Sequence, residues 1–143
     1  MPLMPPLPID RFLVPEEPAV PATLARVRQD LVRGVPVADD VVRYTARLVA
    51  ATRPGQGPEI KDVHKYISYG ASPRASQYLV LGGKARAILS GRYHVDFADI
   101  KAAAHTVLRH RLVLNFHARA DAIDSDTIID RLLKAVATEE LKR

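Results

Sequence analysis

Apolar residues recur at helical spacing along most of this chain, and this pattern constrains its fold more than any other feature. Four stripes of this kind are present, each with polar residues between its members: Leu24, Val27, Leu31 and Val35; Val41, Tyr44, Leu48 and Ala51; Phe97, Ile100, Ala104, Val107 and Leu108; Ile128, Ile129, Leu132, Leu133 and Val136. Aromatic residues make up only 6% of the chain and tryptophan is absent, so the core must consist of aliphatic side chains. The sequence predicts an all-α fold, a small bundle of about five helices with at most short extended pieces.

The distribution of proline divides the chain into three parts. Residues 1–21 hold seven of the eleven prolines, which predicts an irregular, Pro-rich lead-in over 1–22. A helical domain is expected over 23–137 and a charged tail over 138–143. Within the domain, the connection 53–69 is long, and its second half is compatible with either a short helix or a strand.

Composition and apolar runs indicate the cellular compartment in which the protein is expected. The chain has no cysteine, which is typical of a reducing compartment. No apolar run reaches the roughly 18 residues of a membrane span, and the N-terminus lacks the pattern of a signal peptide. We expect a soluble, cytoplasmic protein that does not enter a membrane.

The segment Gly70-Ala71-Ser72-Pro73-Arg74-Ala75 is the strongest candidate site. Ser72 is a suitable N-cap, Pro73 suits the first helical position, and Arg74 lies in the first turn of a helix expected to reach Leu89. Free amides, the helix dipole and a guanidinium group at one point favour an anion, most plausibly phosphate. The alternative is a capped helix with an ordinary surface arginine, and the hexapeptide alone favours that alternative.

Local signals place the other helix ends. Gly91 is expected to end the third helix in a left-handed conformation, Asp96 to cap the fourth, and Asp124 or Ser125 to begin the last. Glycines 82 and 83, in the middle of the third helix, predict that a neighbouring helix packs very close there. Residues 112–116 could be helical or extended.

Most motifs for catalysis or metal binding are absent. Gly82-Gly83-Lys84 is not a phosphate loop, because Tyr78 stands where that motif needs glycine and Ala85 where it needs Ser or Thr. None of the five histidines has a partner at the i, i+4 spacing of a helical zinc site, so no metal site is predicted.

Two questions about the basic residues stay open: the role of the cluster at 109–111, and whether the chain binds nucleic acid. The cluster Arg109-His110-Arg111 follows a helix, and two interpretations are equally supported: favourable charge at a helix C-terminus, or a contact to phosphate or to a partner. The formal net charge of +5 permits a second function, a free-standing basic helical module that binds nucleic acid. The basic residues are scattered among acidic ones, however, so nucleic acid is not the expected partner.

Several of these segments together resemble a known family. The hexapeptide at 70–75, Gly91-Arg92-Tyr93-His94-Val95 leading to Asp99, and Val107-Leu108-Arg109-His110-Arg111-Leu112 look like the C-terminal part of MoxR-type AAA+ ATPases. Val35-Pro36-Val37-Ala38 and Ala51-Thr52-Arg53 are similar to the same family further upstream. The resemblance covers roughly residues 9–137.

The resemblance implies that the chain is the lid subdomain of a larger ATPase. Arg74 would be the sensor-2 arginine that reaches the γ-phosphate, with Ser72 and Pro73 beside the nucleotide, and Arg11 would be an arginine finger that acts on a neighbouring subunit. The implied cofactor is ATP with Mg²⁺. The implied partners are the AAA+ core domain of the same protein, further copies in a hexameric ring, and a von Willebrand A domain protein, in a chaperone-like role on client proteins.

The same resemblance limits what the chain can do alone. It has no Gly-rich loop with Lys-Ser/Thr and no strand that ends in paired acids. The chain by itself is therefore expected neither to hydrolyse ATP nor to bind it tightly, whereas the parent protein is expected to be an ATPase.

Overall fold

The computed structural model describes residues 34–57 and 59–136. Over these residues it is mainly helical, with six helices and two short strands, which confirms the predicted all-α bundle. The elements, in chain order, are α1 (Asp39–Ala51), α2 (Lys61–His64), β1 (Ile67–Tyr69), α3 (Arg74–Leu89), α4 (Phe97–Leu108), β2 (Val113–Leu114), α5 (Phe116–Ala120) and α6 (Ser125–Ala135). The predicted lead-in 1–22, the helix expected from Thr23, Arg11 and the tail 138–143 lie outside the described residues.

The three predicted apolar stripes that lie within the described residues face one common core. Tyr44 and Leu48 of α1, Ile100 of α4, and Ile129 and Leu132 of α6 are fully buried. The rings of Tyr44 and Phe97 meet edge to face, with centroids 5.5 Å apart, an arrangement that aromatic pairs favour. A single aliphatic core therefore holds α1, α3, α4 and α6 together.

Helices α3 and α4 form the closest pair, as the two mid-helix glycines predict. A Cβ added at Gly83 would lie 3.0 Å from Cδ1 of Ile100 and 3.0 Å from Cγ1 of Val95, and one at Gly82 would lie 3.2 Å from Cβ of Ala103. These separations are shorter than ordinary van der Waals contacts. Glycine at both positions is what lets the two helices approach.

The turn from α3 to α4 is fixed by a backbone cap at the end of α3 and by a side-chain cap at the start of α4. Gly91 has a φ of 71°, as predicted, and the N–H of Arg92 donates to the carbonyl of Ala87 at 2.8 Å, which forms a Schellman motif. Asp96 caps α4, as predicted, in a capping box whose other carboxylate belongs to Asp99. These caps set the angle at which α4 returns along α3.

An ion pair between a half-buried arginine and a buried carboxylate lies inside the same turn. The carboxylate of Asp99 is 1% exposed and accepts two hydrogen bonds from the guanidinium group of Arg92, at 2.6 and 2.9 Å. The hydrogen bonds from Arg92 outweigh burial, so the pKa of Asp99 lies below its ordinary value. Arg92 thus ties the end of α3 to the first turn of α4.

The two segments that the sequence left open contain both kinds of structure. Residues 53–69 hold the short helix α2 and the strand β1, and β1 pairs antiparallel with β2, which joins Ile67 to Leu114. Helix α5 has no counterpart in the sequence prediction. Its cap is Asn115, whose side-chain oxygen accepts from the N–H of Ala118 at 3.2 Å and whose amide donates to the carbonyl of Lys65 at 2.7 Å.

Candidate functional site

Arg74 is the first residue of α3, and its side chain is exposed to solvent. None of the ion pairs that join described residues includes it. The next residue, Ala75, is completely buried, so the backbone at this point is held by the core while the guanidinium group lies outside. An arginine presented in this way can bind an anion without breaking an internal contact.

The segment that leads to Arg74 is fastened to the C-terminal end of α1. The N–H of Ala71 donates to the hydroxyl of Thr52 at 2.9 Å, and that hydroxyl donates to the carbonyl of Val49 at 2.6 Å. A Cβ added at Gly70 would overlap the carbonyl of Thr52, so only glycine fits there. Thr52 and Ala71 are both fully buried. These contacts fix the position of Arg74 relative to the body of the domain.

The predicted capping role of Ser72 is wrong. The residue that precedes α3 is Pro73, with φ −55° and ψ −26°, and no side chain caps the helix. The amides of Ala75 and Ser76 instead donate to the carbonyls of Ser72 and Pro73, at 2.9 and 3.0 Å. Because Pro73 already has helical dihedral angles, the first turn closes on backbone carbonyls and leaves no role for the Ser72 hydroxyl. Two of the amides expected to be free are thereby occupied, so affinity for an anion depends mainly on Arg74.

A second arginine, Arg53, packs against the same segment. Its Cγ would lie 2.7 Å from a Cβ added at Gly70, and its Nη1 donates to Oε1 of Gln56 at 2.7 Å. Its Nε atom is buried without a hydrogen-bond partner among the described residues. Arg53 therefore adds positive charge beside the backbone that carries Arg74.

The cluster Arg109-His110-Arg111 makes contacts within the domain. Arg109 Nε donates to Asp126 at 2.8 Å, and this hydrogen bond raises the pKa of Arg109. Arg111 Nη1 donates to the carbonyl of Val107 at 2.6 Å, and its guanidinium group lies 4.7 Å from the ring centroid of Tyr78. The contact of Arg111 with the carbonyl of Val107 is of the kind expected for charge at a helix C-terminus. A contact of the cluster to phosphate or to a partner stays a prediction.

Two of the five histidines also have local partners. His64 Nε2 lies 2.8 Å from the carbonyl oxygen of Ala51, and His105 Nε2 lies 2.9 Å from Asp130. Over residues 34–57 and 59–136, no three metal-ligating side chains come close enough to hold a metal ion. Nor is any helix in that part of the chain long and apolar enough to cross a membrane.

Comparison with known proteins decides the family. The AAA lid domain family matches residues 59–132, more than half of the chain. The chain belongs to the AAA lid domain family. The matched range begins before α2 and ends in α6, so it includes Arg74, residues 70–73 that lead to it, and the close pair α3–α4.

The relatives of this lid confirm the resemblance to MoxR-type ATPases. It is 38% identical over 101 residues to the chaperone MoxR1 of Mycobacterium tuberculosis, covering 71% of this chain and 27% of that protein. It is 30% identical over 105 residues to the uncharacterized protein YeaC of Bacillus subtilis, covering 73% of this chain and 30% of YeaC. The crystal structure of a candidate ATPase from Cytophaga hutchinsonii matches with a TM-score of 0.69 and 34% identity, covering 74% of this chain and 32% of that one. The chain thus spans less than a third of each relative.

Sequence reasoning missed how the lid holds Arg74 in place. In the sequence, Thr52 and Arg53 stand out only as part of the family-like segment Ala51-Thr52-Arg53, and Gly70 only as the first residue of the hexapeptide at 70–75. The useful signals were a threonine that directly follows an amphipathic helix and a glycine four residues before the arginine. The hydrogen bond between Thr52 and Ala71, the residue after this glycine, spans 19 residues, so no local pattern could pair them.

Proposed function

We propose that this chain is the nucleotide-sensing lid of a MoxR-like AAA+ ATPase and that Arg74 is its sensor-2 arginine. The observation that carries the proposal is the exposed guanidinium group of Arg74 on a backbone segment that Thr52 and Gly70 hold in place. A guanidinium fork matches the oxygen atoms of a phosphate group and can form two hydrogen bonds with it. The similarity to the chaperone MoxR1 is consistent with this role.

Arg74 would act by stabilising charge at the phosphate. The bound nucleotide supplies the phosphoryl group that is transferred to water, and Arg74 would neutralise the negative charge that its oxygen atoms carry in the transition state. Because Ala71 is buried and hydrogen bonds to Thr52 at the end of α1, the backbone at Arg74 would move only when the whole lid moves. Closure of the lid would then bring Arg74 to the nucleotide, and opening would remove it.

The rest of the site would come from other parts of the motor. ATP would bind between the lid and the AAA+ core domain of the same protein, and its Mg²⁺ ion would be held by the core, where a phosphate loop and paired acids belong. Arg11 is proposed as the arginine finger of a neighbouring subunit in a homo-oligomeric, hexameric ring. Ser72 and Pro73 would lie beside the nucleotide through their backbone.

The cellular role proposed for the ring is chaperone-like. Cycles of lid closure would remodel or mature client proteins in the cytoplasm, with a von Willebrand A domain protein as a partner. The isolated chain is proposed to bind ATP no more tightly than the millimolar range, because a single arginine and a helix end make few contacts with the nucleotide. Isothermal titration of the chain with ATP measures this affinity, and micromolar binding would contradict it.

Three substitutions in the full-length parent protein test the role of Arg74. Arg74→Ala is expected to reduce the rate of ATP hydrolysis at least tenfold, as the loss of a transition-state contact requires. Arg74→Lys keeps the charge but loses the fork, so we expect it to recover only part of the rate. Arg47→Ala, which removes an exposed arginine in the middle of α1, is the matched control and should retain the full rate. Equal hydrolysis by the Arg74→Ala variant and the unmodified protein would disprove the proposal.

A further inference from the structure

A pocket with an excess of positive charge lies between α2 and α6, and it includes no residue of the segment 70–75. Its volume is about 600 Å³. The described residues that line it include an apolar side chain, a tyrosine, one acid and three bases, namely Ile60, Tyr66, Asp62, Lys65, Arg131 and Lys134. None of the ion pairs that join described residues includes any of the three bases. The pocket is therefore suited to a ligand with negative charge.

Arg131 is held in one orientation at the wall of this pocket. Its Nη1 atom donates a hydrogen bond of 2.9 Å to the backbone carbonyl of Asp62, and its guanidinium group lies 5.7 Å from the ring centroid of Tyr66. The hydrogen bond uses one of the five N–H donors of the guanidinium group, which leaves others for a ligand. Because these two contacts orient Arg131 before a ligand arrives, binding costs it less conformational entropy.

Tyr66 provides a fixed floor for the basic side chains. Its ring is only 4% exposed, its hydroxyl donates to Asp121 at 2.9 Å, and its carbonyl accepts from the N–H of Asn115 at 2.9 Å. The ammonium group of Lys65 lies 4.6 Å from the centroid of the same ring. One buried tyrosine thus brings a lysine that follows α2 and an arginine of α6 to the same place.

The lining also indicates which kind of anion fits. Arg131 and Lys134 are three residues apart on α6, so they lie on one face of that helix. A guanidinium fork matches a carboxylate group, with which it can form two hydrogen bonds. Ile60 adds apolar surface beside these charges. The buried ring of Tyr66 cannot stack on a base, so the pocket lacks the aromatic platform that single-stranded nucleic acids use.

We propose that this pocket binds an acidic peptide segment of a partner protein. A glutamate or aspartate carboxylate would bind Arg131, a neighbouring aliphatic side chain would pack on Ile60, and Lys65 and Lys134 would attract further carboxylates. The pocket shares no residue with the site at Arg74 and needs no nucleotide. The experiment below can therefore fail or succeed independently of the proposed function.

Fluorescence anisotropy with a defined probe tests the proposal. The probe is a short fluorescein-labelled peptide with glutamates on both sides of a single leucine, titrated with the 143-residue chain at physiological ionic strength. The pocket variant is Lys134→Glu, because Lys134 is an exposed residue in the last turn of α6. The matched control is Arg47→Glu, an equal change of charge at an exposed residue of α1 outside the pocket. Circular dichroism confirms that both variants fold.

We expect saturable binding that Lys134→Glu weakens at least about fivefold and that Arg47→Glu changes less than about twofold. A probe with glutamine in place of each glutamate should not bind. Absence of saturable binding to the unmodified chain would overturn the proposal. Equal weakening by the two variants would show attraction to the overall charge of the chain and would also overturn it. The same holds if a single-stranded oligonucleotide of equal charge competes better than the unlabelled peptide, because the pocket would then belong to nucleic acid.

Discussion

The backbone N–H of Ala71 donates a hydrogen bond of 2.9 Å to the hydroxyl of Thr52, and both residues are completely buried. This bond joins the end of one amphipathic helix to the start of the helix that carries Arg74. The Thr52 hydroxyl also donates to the carbonyl of Val49, so both of its hydrogen-bonding functions are used. A buried hydroxyl thus determines where an exposed arginine is presented.

Replacement of Thr52 tests this relationship. Thr52→Val keeps the shape of the side chain but leaves the buried N–H of Ala71 without a partner, which should cost about 1–3 kcal/mol of unfolding free energy. Thr52→Ser keeps the hydroxyl and should cost clearly less, since it loses only a methyl group. Urea unfolding of both variants gives the comparison. Equal stability of the Val and Ser variants would mean that the hydroxyl is not needed.

Gly83→Ala should destabilise the chain although alanine is the better helix former. Helix propensity favours alanine by about 1 kcal/mol, but the added Cβ would lie 3.0 Å from both Ile100 and Val95. Overpacking of this kind typically costs about 1–3 kcal/mol. Gly82→Ala, whose Cβ would approach only Ala103, at 3.2 Å, is the milder control. A higher melting temperature for Gly83→Ala would contradict the close packing of α3 against α4.

The Arg92–Asp99 pair should make the domain sensitive to acid. Hydrogen bonds from Arg92 lower the pKa of folded Asp99, whereas an unfolded aspartate titrates near about 3.9. The stabilisation is therefore present above about pH 4 and is lost as the pH falls through the lower, folded pKa. Unfolding free energies measured from pH 7 to pH 2 should show this loss. Asp99→Asn should be less stable at pH 7 and should lack this part of the pH dependence.

Tyr44→Phe should maintain or raise stability. The ring of Tyr44 is completely buried, and no described residue hydrogen bonds to its hydroxyl. Burial raises the pKa of this phenol. Removing an unsatisfied polar atom should stabilise the fold by about 1 kcal/mol, which thermal melting can detect. A loss of more than 1 kcal/mol would show that the hydroxyl has a partner that stabilises the native state.

Local signals predicted most of the helices correctly. Asp96 and Asp124 cap α4 and α6, and Gly91 ends α3, because each of these effects depends on residues within one turn. The packing of α3 on α4 was also predictable, since two glycines in the middle of an apolar helix are unfavourable unless a neighbour requires them. The positions of these residues along the chain are therefore enough to predict the helix ends and the close packing of α3 on α4.

Features that depend on distant partners were not predictable in the same way. Strand β1 exists because Ile67 pairs with Leu114, and α5 begins where Asn115 also binds the backbone of Lys65. The capping role of Ser72 was predicted wrongly because Pro73 already adopts helical angles and the turn closes on carbonyl groups. For the candidate site, the sequence identified Arg74 but not the contact between Thr52 and Ala71 that positions it.

In the proposed function, Arg74 acts on the nucleotide and does not support the fold. Two substitutions separate these roles. Arg74→Ala should change the stability of the isolated chain by no more than about 0.5 kcal/mol, as is usual for a surface residue. Asp96→Ala removes the cap of α4 and should cost about 1 kcal/mol.

The decisive measurement is the rate of ATP hydrolysis by the full-length parent protein carrying each substitution, with thermal melts of both variants alongside. Arg74→Ala should reduce the rate at least tenfold while the melting temperature hardly changes. Asp96→Ala should reduce the rate only as far as its melting temperature predicts. If Arg74→Ala unfolds the lid while the parent protein still hydrolyses ATP at its full rate, Arg74 is a structural residue and the proposed function is contradicted.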